Sequence, residues 1–318
     1  MRDVLIATPA APDGLTGNAI TARRWAAMLG RLGHRVSLAE SYDGQPCDLF
    51  IALHARRSAP SVVRFHEAHP ARPILVALTG TDLYSDIEHD PDARHSLELA
   101  TRLIALQGAA PDALAEHLRS RTRVIYQSVE PPGDLPPRPE TSFEVCVIGH
   151  LRRVKDPLRT ARAARLLPST SRVRVSHLGD ALEEGMAEAA RAEEKQNPRY
   201  VWRGALPHDE TLRTLAASHL HAITSRMEGG ANAVCEALAL GVPTVSTHIP
   251  GSIGLLGEDY PGYFPVGDTE DLARLIRRAE TDPAFYRSLA THCDERAQLV
   301  QPEHELAAWT QLMAELED

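Results

Sequence analysis

The stretch Ser225-Arg-Met-Glu-Gly-Gly-Ala-Asn-Ala-Val-Cys-Glu-Ala-Leu-Ala-Leu-Gly-Val-Pro243 constrains the fold more than any other part of this chain. Leu220 to Thr224 before it reads as a short buried strand, and Val242 to Ser246 after it as the next one. Between them Val234, Ala237, Leu238 and Leu240 recur at helical spacing, and Gly241 stands where such a helix stops. Gly229 and Gly230 fall at the strand-to-helix turn, where backbone N–H groups at the positive end of a helix suit a phosphate. Glu228 and Glu236 frame that turn; carboxylates repel phosphate, so their useful partners are hydroxyls such as those of a sugar and a ribose. A lone Gly-Gly is only a tight connection and a lone Glu236 only a solvated side chain. Together with Asn232 they point to a nucleotide-sugar site.

The 318 residues suffice for two domains, and at 43% hydrophobic and 24% charged they read as an ordinary globular chain. A net charge of −9 argues against nonspecific nucleic-acid binding. An anionic ligand must then be met by a local cluster of cations, nearly all of them arginine, since lysine occurs only at Lys155 and Lys195. Cys47, Cys146, Cys235 and Cys293 lack metal-ligand spacing, and the first three lie in or beside apolar runs, where buried free thiols are expected. With no signal peptide and no run of membrane-spanning length, a cytoplasmic protein without membrane partners is expected.

In chain order, a strand over Val4 to Thr8 leads into a glycine loop, an alanine-rich helix to about Leu32, and a strand over Val36 to Ala39. Gly14 and Gly17 do not complete the dinucleotide fingerprint, which disfavours a Rossmann dehydrogenase, though such a loop can close over an anion. Strands over Asp48 to Leu53 and Ile74 to Leu78 end in polar groups. Ligands of open α/β sheets gather at these carboxyl ends, so Asn18, His54, Arg56, Arg57, Thr81 and Asp82 become candidates, each with a plainer reading as a structural histidine, a surface charge or a helix cap. Strands near Leu103 to Leu106 and Arg123 to Tyr126 complete the first sheet; the proline-rich residues 131–140 form the linker.

The second sheet opens with Phe143 to Ile148 and runs into Gly149-His-Leu-Arg152-Arg-Val-Lys155. Arg152 and Lys155, three apart ahead of a helix, form a diphosphate clamp able to neutralise a leaving nucleotide; the plainer alternative is a solvated basic turn. Strands near Val173 to Leu178 and Tyr200 to Trp202 follow, and Arg203-Gly204 stands at a strand end, within reach of a base. Ile249 to Pro265 reads as a long glycine- and proline-rich loop of functional length, and the C-terminal helices as amphipathic and structural.

The Glu228/Glu236 spacing resembles the Glu-x7-Glu signature of family-4-like glycosyltransferases. That resemblance implies an α/β protein of the GT-B fold, with two Rossmann-like domains whose parallel sheets face across a cleft: residues 1–130 for the acceptor, 141–302 for the donor, and a last helix over 303–318 crossing back to the first domain. It implies that Glu228 and the backbone of Gly229, Gly230, Ala231 and Asn232 hold the donor sugar and Glu236 the ribose. Gly149, Arg203 and Gly204 complete the donor set, and Arg152 and Lys155 match the family's cations.

The segments Gly17-Asn-Ala-Ile-Thr-Ala-Arg-Arg-Trp25, Ala52-Leu-His-Ala-Arg-Arg-Ser58, Leu78-Thr-Gly-Thr-Asp-Leu-Tyr84 and Gly254-Leu-Leu-Gly-Glu-Asp-Tyr-Pro-Gly-Tyr-Phe264 are similar to the selenosugar synthases of selenoneine biosynthesis. Gly149-His-Leu-Arg152 and Glu228-Gly-Gly-Ala-Asn232 extend that similarity over nearly the whole chain. It implies transfer of glucose or N-acetylglucosamine from a UDP-sugar to selenophosphate, with no metal or cofactor and a functional link to the selenophosphate-producing enzyme. Arg56 and Arg57, with the amides of Gly17 and Asn18, would hold the anionic acceptor, while His54, Thr81 and Asp82 orient groups. An O-glycosyltransferase of small metabolites, a UDP-sugar epimerase and a nucleotide-sugar sensor without turnover remain alternatives.

Overall fold

The computed structural model describes residues 1–9, 11–14 and 16–317. Ala10 and Leu15 of the first glycine loop, and Asp318 at the end of the expected last helix, lie outside the described residues. The chain forms two compact units: Met1–Gln127 with Glu228–Gly230 and Pro302–Asp318, and Ser128–Met227 with Ala231–Gln301.

Among the described residues, the first unit carries a six-stranded parallel sheet of β1 (Asp3–Ala7), β2 (Arg35–Ala39), β3 (Leu49–Leu53), β4 (Ile74–Leu78), β5 (Arg102–Ala105) and β6 (Thr122–Val124), in the order β2-β1-β3-β4-β5-β6. Its central strands Leu-Phe-Ile-Ala-Leu and Ile-Leu-Val-Ala-Leu are buried at every position, as covering on both faces requires. Alternate side chains feed two cores: Leu5, Phe50 and Val76 on one face, and Ile6, Ile51 and Leu75 on the other. On the second face Trp25 of the helix Gly17–Arg31 meets Trp309 of the helix Pro302–Ala314 edge to face at 5.0 Å. Glu305, fully buried beside them, accepts from Trp25 Nε1 at 2.8 Å and pairs with Arg24 at 3.0 Å, so the charge carried into the core is matched.

The second unit repeats the plan with β7 (Phe143–Ile148), β8 (Val173–Leu178), β9 (Tyr200–Trp202), β10 (Leu220–Ile223), β11 (Thr244–Thr247) and β12 (Tyr263–Phe264), again parallel, in the order β12-β11-β10-β7-β8-β9. The strand order reverses between β1 and β3 in the first sheet and between β7 and β10 in the second, and such switch points are where open sheets bind ligands.

The expected loop over Ile249 to Pro265 needs correction. Pro250–Leu256 is a helix with the proline in its first turn, where its missing N–H costs nothing, and β12 follows. Gly251 and Gly254 are buried inside that helix beside Leu255 and Leu256, and Gly257, at φ +92°, ends it. All four cysteines are buried and unbridged. Among the described residues, no helix is long and apolar enough to cross a membrane.

Candidate functional site

In the second unit, the loop after β7 is fastened from beneath. His177 of β8 donates from Nε2 to the Gly149 carbonyl and accepts at Nδ1 from the Tyr200 hydroxyl, both at 3.0 Å. Burial pushes this imidazole down to about 4, so it serves as a neutral bridge at ordinary pH. Gly179 follows β8 at φ +142°, and a Cβ there would lie 2.2 Å from the Gly149 oxygen; only glycine lets the two loops cross. Trp202 Nε1 donates to the Gly179 carbonyl at 2.8 Å, and the Gly179 amide donates to the carbonyl of Gly204, itself at φ +69°. Gly204 thus serves the turn by its left-handed backbone and its carbonyl, while Arg203 beside it is exposed, with Nε 3.4 Å from Ser176 Oγ.

The same loop is laced to the end of β10. Thr224 Oγ1 reaches the carbonyls of Lys155 and Asp156, each at 2.9 Å, and the Arg226 amide donates to Val154 at 2.8 Å. Asp156 adopts φ +45° and is held there by Arg159 at 2.7 Å and Arg226 at 3.5 Å. A pocket at the β7/β10 switch is lined by Gly149, Lys155, Thr224 and Ser225 among others. Arg152 stands in the same loop, partly exposed, 3.8 Å from Glu183, a separation at which the pair holds the guanidinium only loosely.

After Ser225 the chain reaches the helix Asn232–Ala239, whose Ala233, Val234, Ala237 and Leu238 are buried. It closes as expected at Gly241, φ +60°: the Gly241 amide donates to Leu238 and the Val242 amide to Ala237, a Schellman cap. Glu236 lies inside the helix, only 4% exposed, with Oε1 3.0 Å from His208 Nε2. Glu228 is also buried, and Ala231 and Asn232 sit at the helix start. Gly229 and Gly230 group with the first unit, where a Cβ would come within 2.4 Å of the Gly80 nitrogen and of Leu106 Cβ respectively, so close packing alone demands glycine at both. Gln127 Nε2 donates to the Gly230 carbonyl at 2.9 Å.

Sequence reasoning missed His208. The available signal was the run Pro207-His-Asp-Glu after β9, a helix start with acids in its first turn, which puts His208 at the carboxyl end of the sheet.

In the first unit, Gly17 and Asn18 open the helix Gly17–Arg31 behind the cap Thr16, at the end of β1. His54 follows β3 in the left-handed region at φ +75°, with Nε2 3.3 Å from Thr81 Oγ1 and Nδ1 accepting from the Arg57 amide at 3.4 Å. Burial lowers its pKa, opposed by the carboxylates of Asp82 and Asp86. Asp82 is fully buried; its carboxylate accepts from the amides of Gly80 at 2.7 Å, Ala55 at 3.0 Å and Thr79 at 3.1 Å. Asp82, expected among the groups that orient an acceptor, ties the β3 and β4 loops together and faces no solvent. Arg56 pairs with Asp86 at 3.0 Å, while the Arg57 side chain is exposed. Among the described residues, no group of His, Cys, Asp and Glu is arranged to hold a metal ion.

The sequence pattern of the family described as "Glycosyl transferases group 1" matches residues 136–300, just over half of the 318-residue chain. The chain is 30% identical over 108 residues to a 2-deoxystreptamine glucosyltransferase of Streptomyces kanamyceticus, a match covering 34% of this chain and only 28% of that relative. HepE of Anabaena, solved in complex with UDP-glucose, superposes with a TM-score of 0.78 at 19% identity over 100% of both chains. Sucrose-phosphate synthase of Thermosynechococcus elongatus gives 0.78 at 17% identity over 99% and 98%. These likenesses establish a GT-B-like fold. With the matched segment running from the linker through the whole strand-and-helix array of the second unit, the chain belongs to the glycosyl transferases group 1 family.

Proposed function

We propose that this protein transfers a sugar, glucose or N-acetylglucosamine, from its UDP conjugate to selenophosphate, forming a carbon–selenium bond. The observation that carries the donor half is the β7/β10 switch point, where Lys155 and Arg152 share a loop and the buried carboxylates Glu228 and Glu236 follow β10. HepE, of like fold, was solved with UDP-glucose, and the Streptomyces relative is named a glucosyltransferase, which supports a UDP-sugar donor. Glu236 would accept from the ribose hydroxyls, with Arg203 near the base. Glu228 and the Gly229–Asn232 backbone would hold the sugar. Selenium's lone pair would form the bond to the anomeric carbon as the carbon–oxygen bond to the β-phosphate breaks. UDP would depart with the electron pair of that carbon–oxygen bond, leaving the sugar on the selenium of selenophosphate. Arg152 and Lys155 would meet the growing charge, more strongly in the transition state than before it.

The first unit would take the acceptor at the β1/β3 switch through Arg57, Gly17 and Asn18, with His54 and Asp82 shaping the loops. Supporting selenophosphate are the selenosugar-synthase-like segments and the exposed Arg57. A selenolate is nucleophilic without a base, which suits a site whose buried Asp82 is occupied by backbone amides. A second reading, O-glycosylation of a small neutral or cationic metabolite, is favoured by the pairing of Arg56 with Asp86, which removes one of two cations from an anion's reach.

The test is incubation with UDP-glucose or UDP-N-acetylglucosamine, with and without selenophosphate, and product reading by mass spectrometry. A selenosugar formed only with selenophosphate supports the proposal. Turnover with aminocyclitols and none with selenophosphate overturns it in favour of the second reading. Release of UDP or an epimerised sugar from donor alone points to hydrolysis or epimerisation, and tight binding without turnover to a sensor.

A further inference from the structure

We infer that His208 is a positioning residue for the nucleotide ribose, acting through Glu236; this rests on the reading of Glu236 as the ribose ligand. His208 is the first residue of the helix His208–Ala216, and its Nε2 lies 3.0 Å from Glu236 Oε1 across a separation of 28 residues. An ionised carboxylate only accepts, so the proton of this bond sits on Nε2 in either charge state of the ring. Glu236 is 4% exposed, in a helix whose neighbours Cys235 and Ala237 are fully buried, and a buried polar group needs hydrogen-bond partners. His208 supplies one and fixes which way the carboxylate plane turns.

The asymmetry of the pair separates this role from plain stabilisation. The His208 side chain is 47% exposed while that of Glu236 is 5% exposed. A half-exposed ring adds little to folding. It also holds Glu236 still, and a vicinal diol is bound well only by a carboxylate already in the right orientation. The neighbouring first-turn acid is engaged elsewhere, Asp209 with Arg213 at 2.8 Å. Through His208, therefore, the short helix after β9 acts on nucleotide recognition without touching the nucleotide.

The experiment measures binding of UDP and of 2′,3′-dideoxy-UDP to the full chain and to Glu236→Ala, His208→Ala, His208→Gln and the double alanine variant. Glu236→Ala should weaken UDP roughly ten- to a hundredfold and leave the dideoxy ligand unchanged. His208→Ala should weaken UDP about three- to tenfold, again sparing the dideoxy ligand, with little change in thermal stability. In the double variant the His208 change should add nothing, and His208→Gln, which keeps an N–H donor in place, should recover most of the affinity. If Glu236→Ala treats both ligands alike, the ribose reading falls and this inference with it. If Glu236→Ala discriminates while His208→Ala affects both ligands equally, affects neither, or adds a further loss in the double variant, the ribose reading stands and the role of His208 is overturned.

Discussion

The two sheets are wound on one plan, and their switch points hold similar inventories of charge put to opposite uses. In the first unit the carboxylate at the strand ends is turned inward: Asp82 is saturated by the amides of Thr79, Gly80 and Ala55, and Asp86 is taken by Arg56. In the second, uncharged side chains and a glycine crossing fasten the loop after β7. Gly179 crosses Gly149, His177 bridges from below, and Thr224 ties the loop after β7 to β10. Arg152 is left only loosely paired, and Glu236 is held by a ring standing at the rim. A charged side chain in a strand-end loop is thus uninformative by type; what decides is whether the fold has already supplied its donors.

The buried histidines give the largest expected difference between the units. Burial lowers His177 to about 4 and His221 to about 3, and among the described residues His221 Nε2 has no hydrogen-bond partner. Both lie in the second unit. The unfolded chain takes up these protons near pH 6.5 and the folded one only below about 4 and 3. Between those values the unfolded state holds more protons, so stability present above pH 6.5 is lost as pH falls. From pH 7 to 5 each histidine should cost roughly 2 kcal/mol. In the first unit, the buried His54 has Asp82 and Asp86 opposing its shift. Hydrogen exchange at pH 5 should therefore show β7–β11 losing protection before β1–β5, and His177→Gln should flatten the pH dependence of urea unfolding. An unchanged slope in that variant would break the comparison.

Next in size is the proposed diphosphate clamp. Arg152→Ala or Lys155→Ala should lower turnover about 100- to 1,000-fold, with donor Kd changed far less, because the charge they meet grows as the bond breaks. Single-turnover rates beside equilibrium UDP-sugar binding separate the two effects; parent-like rates in both variants would remove the clamp from the mechanism.

Asp82→Ala sharpens the first-unit side. Three amides that now donate to one buried carboxylate would lose their acceptor, at a cost of roughly 3 kcal/mol in stability. Asp82→Asn, which keeps an acceptor oxygen, should cost less. Chemical denaturation measures both, and a fully stable Asp82→Ala would mean that the carboxylate is not what holds the loops.

These cases also show why the fold was more legible than the site. Ile74–Leu78, Phe143–Ile148 and Val173–Leu178 are unbroken or alternating apolar runs ended by glycine or polar residues, and their bounds follow from local pattern. The helix Pro250–Leu256 was misread because glycine marks both loops and tightly packed helices, and only the buried setting of Gly251 and Gly254 tells them apart. The glycines and glutamates around α-helix Asn232–Ala239 could be picked out because they lie together in sequence. The tie from Asp82 to the β3 loop and the pairing of His208 were hidden because the Ala55 amide and Glu236 are 27 and 28 residues away, whereas the bonds of Asp82 to Thr79 and Gly80 are local.

The smallest expected effect is the one that tests the acceptor. Arg56 and Arg57 are both exposed, but Arg56 pairs with Asp86, whereas Arg57 has, among the described residues, its backbone amide on His54 Nδ1 and no ion pair. On the proposed function the arginine pair would divide: Arg57 would meet the small anion, and Arg56 would keep Asp86 from repelling it. Arg57→Ala should raise KM for selenophosphate about tenfold, the low end for a charged hydrogen bond because solvent competes at an exposed site. UDP-sugar Kd should not move if Arg57 serves the acceptor alone. Arg57→Lys should recover the reaction only in part, as an ammonium cannot match two phosphate oxygens with a planar fork. Raising the salt should shrink the parent's advantage over Arg57→Ala, because an exposed charge is screened. A KM that Arg57→Ala leaves unchanged would mean that the first unit's strand ends carry no anion site, and the acceptor would then be the neutral or cationic metabolite of the second reading.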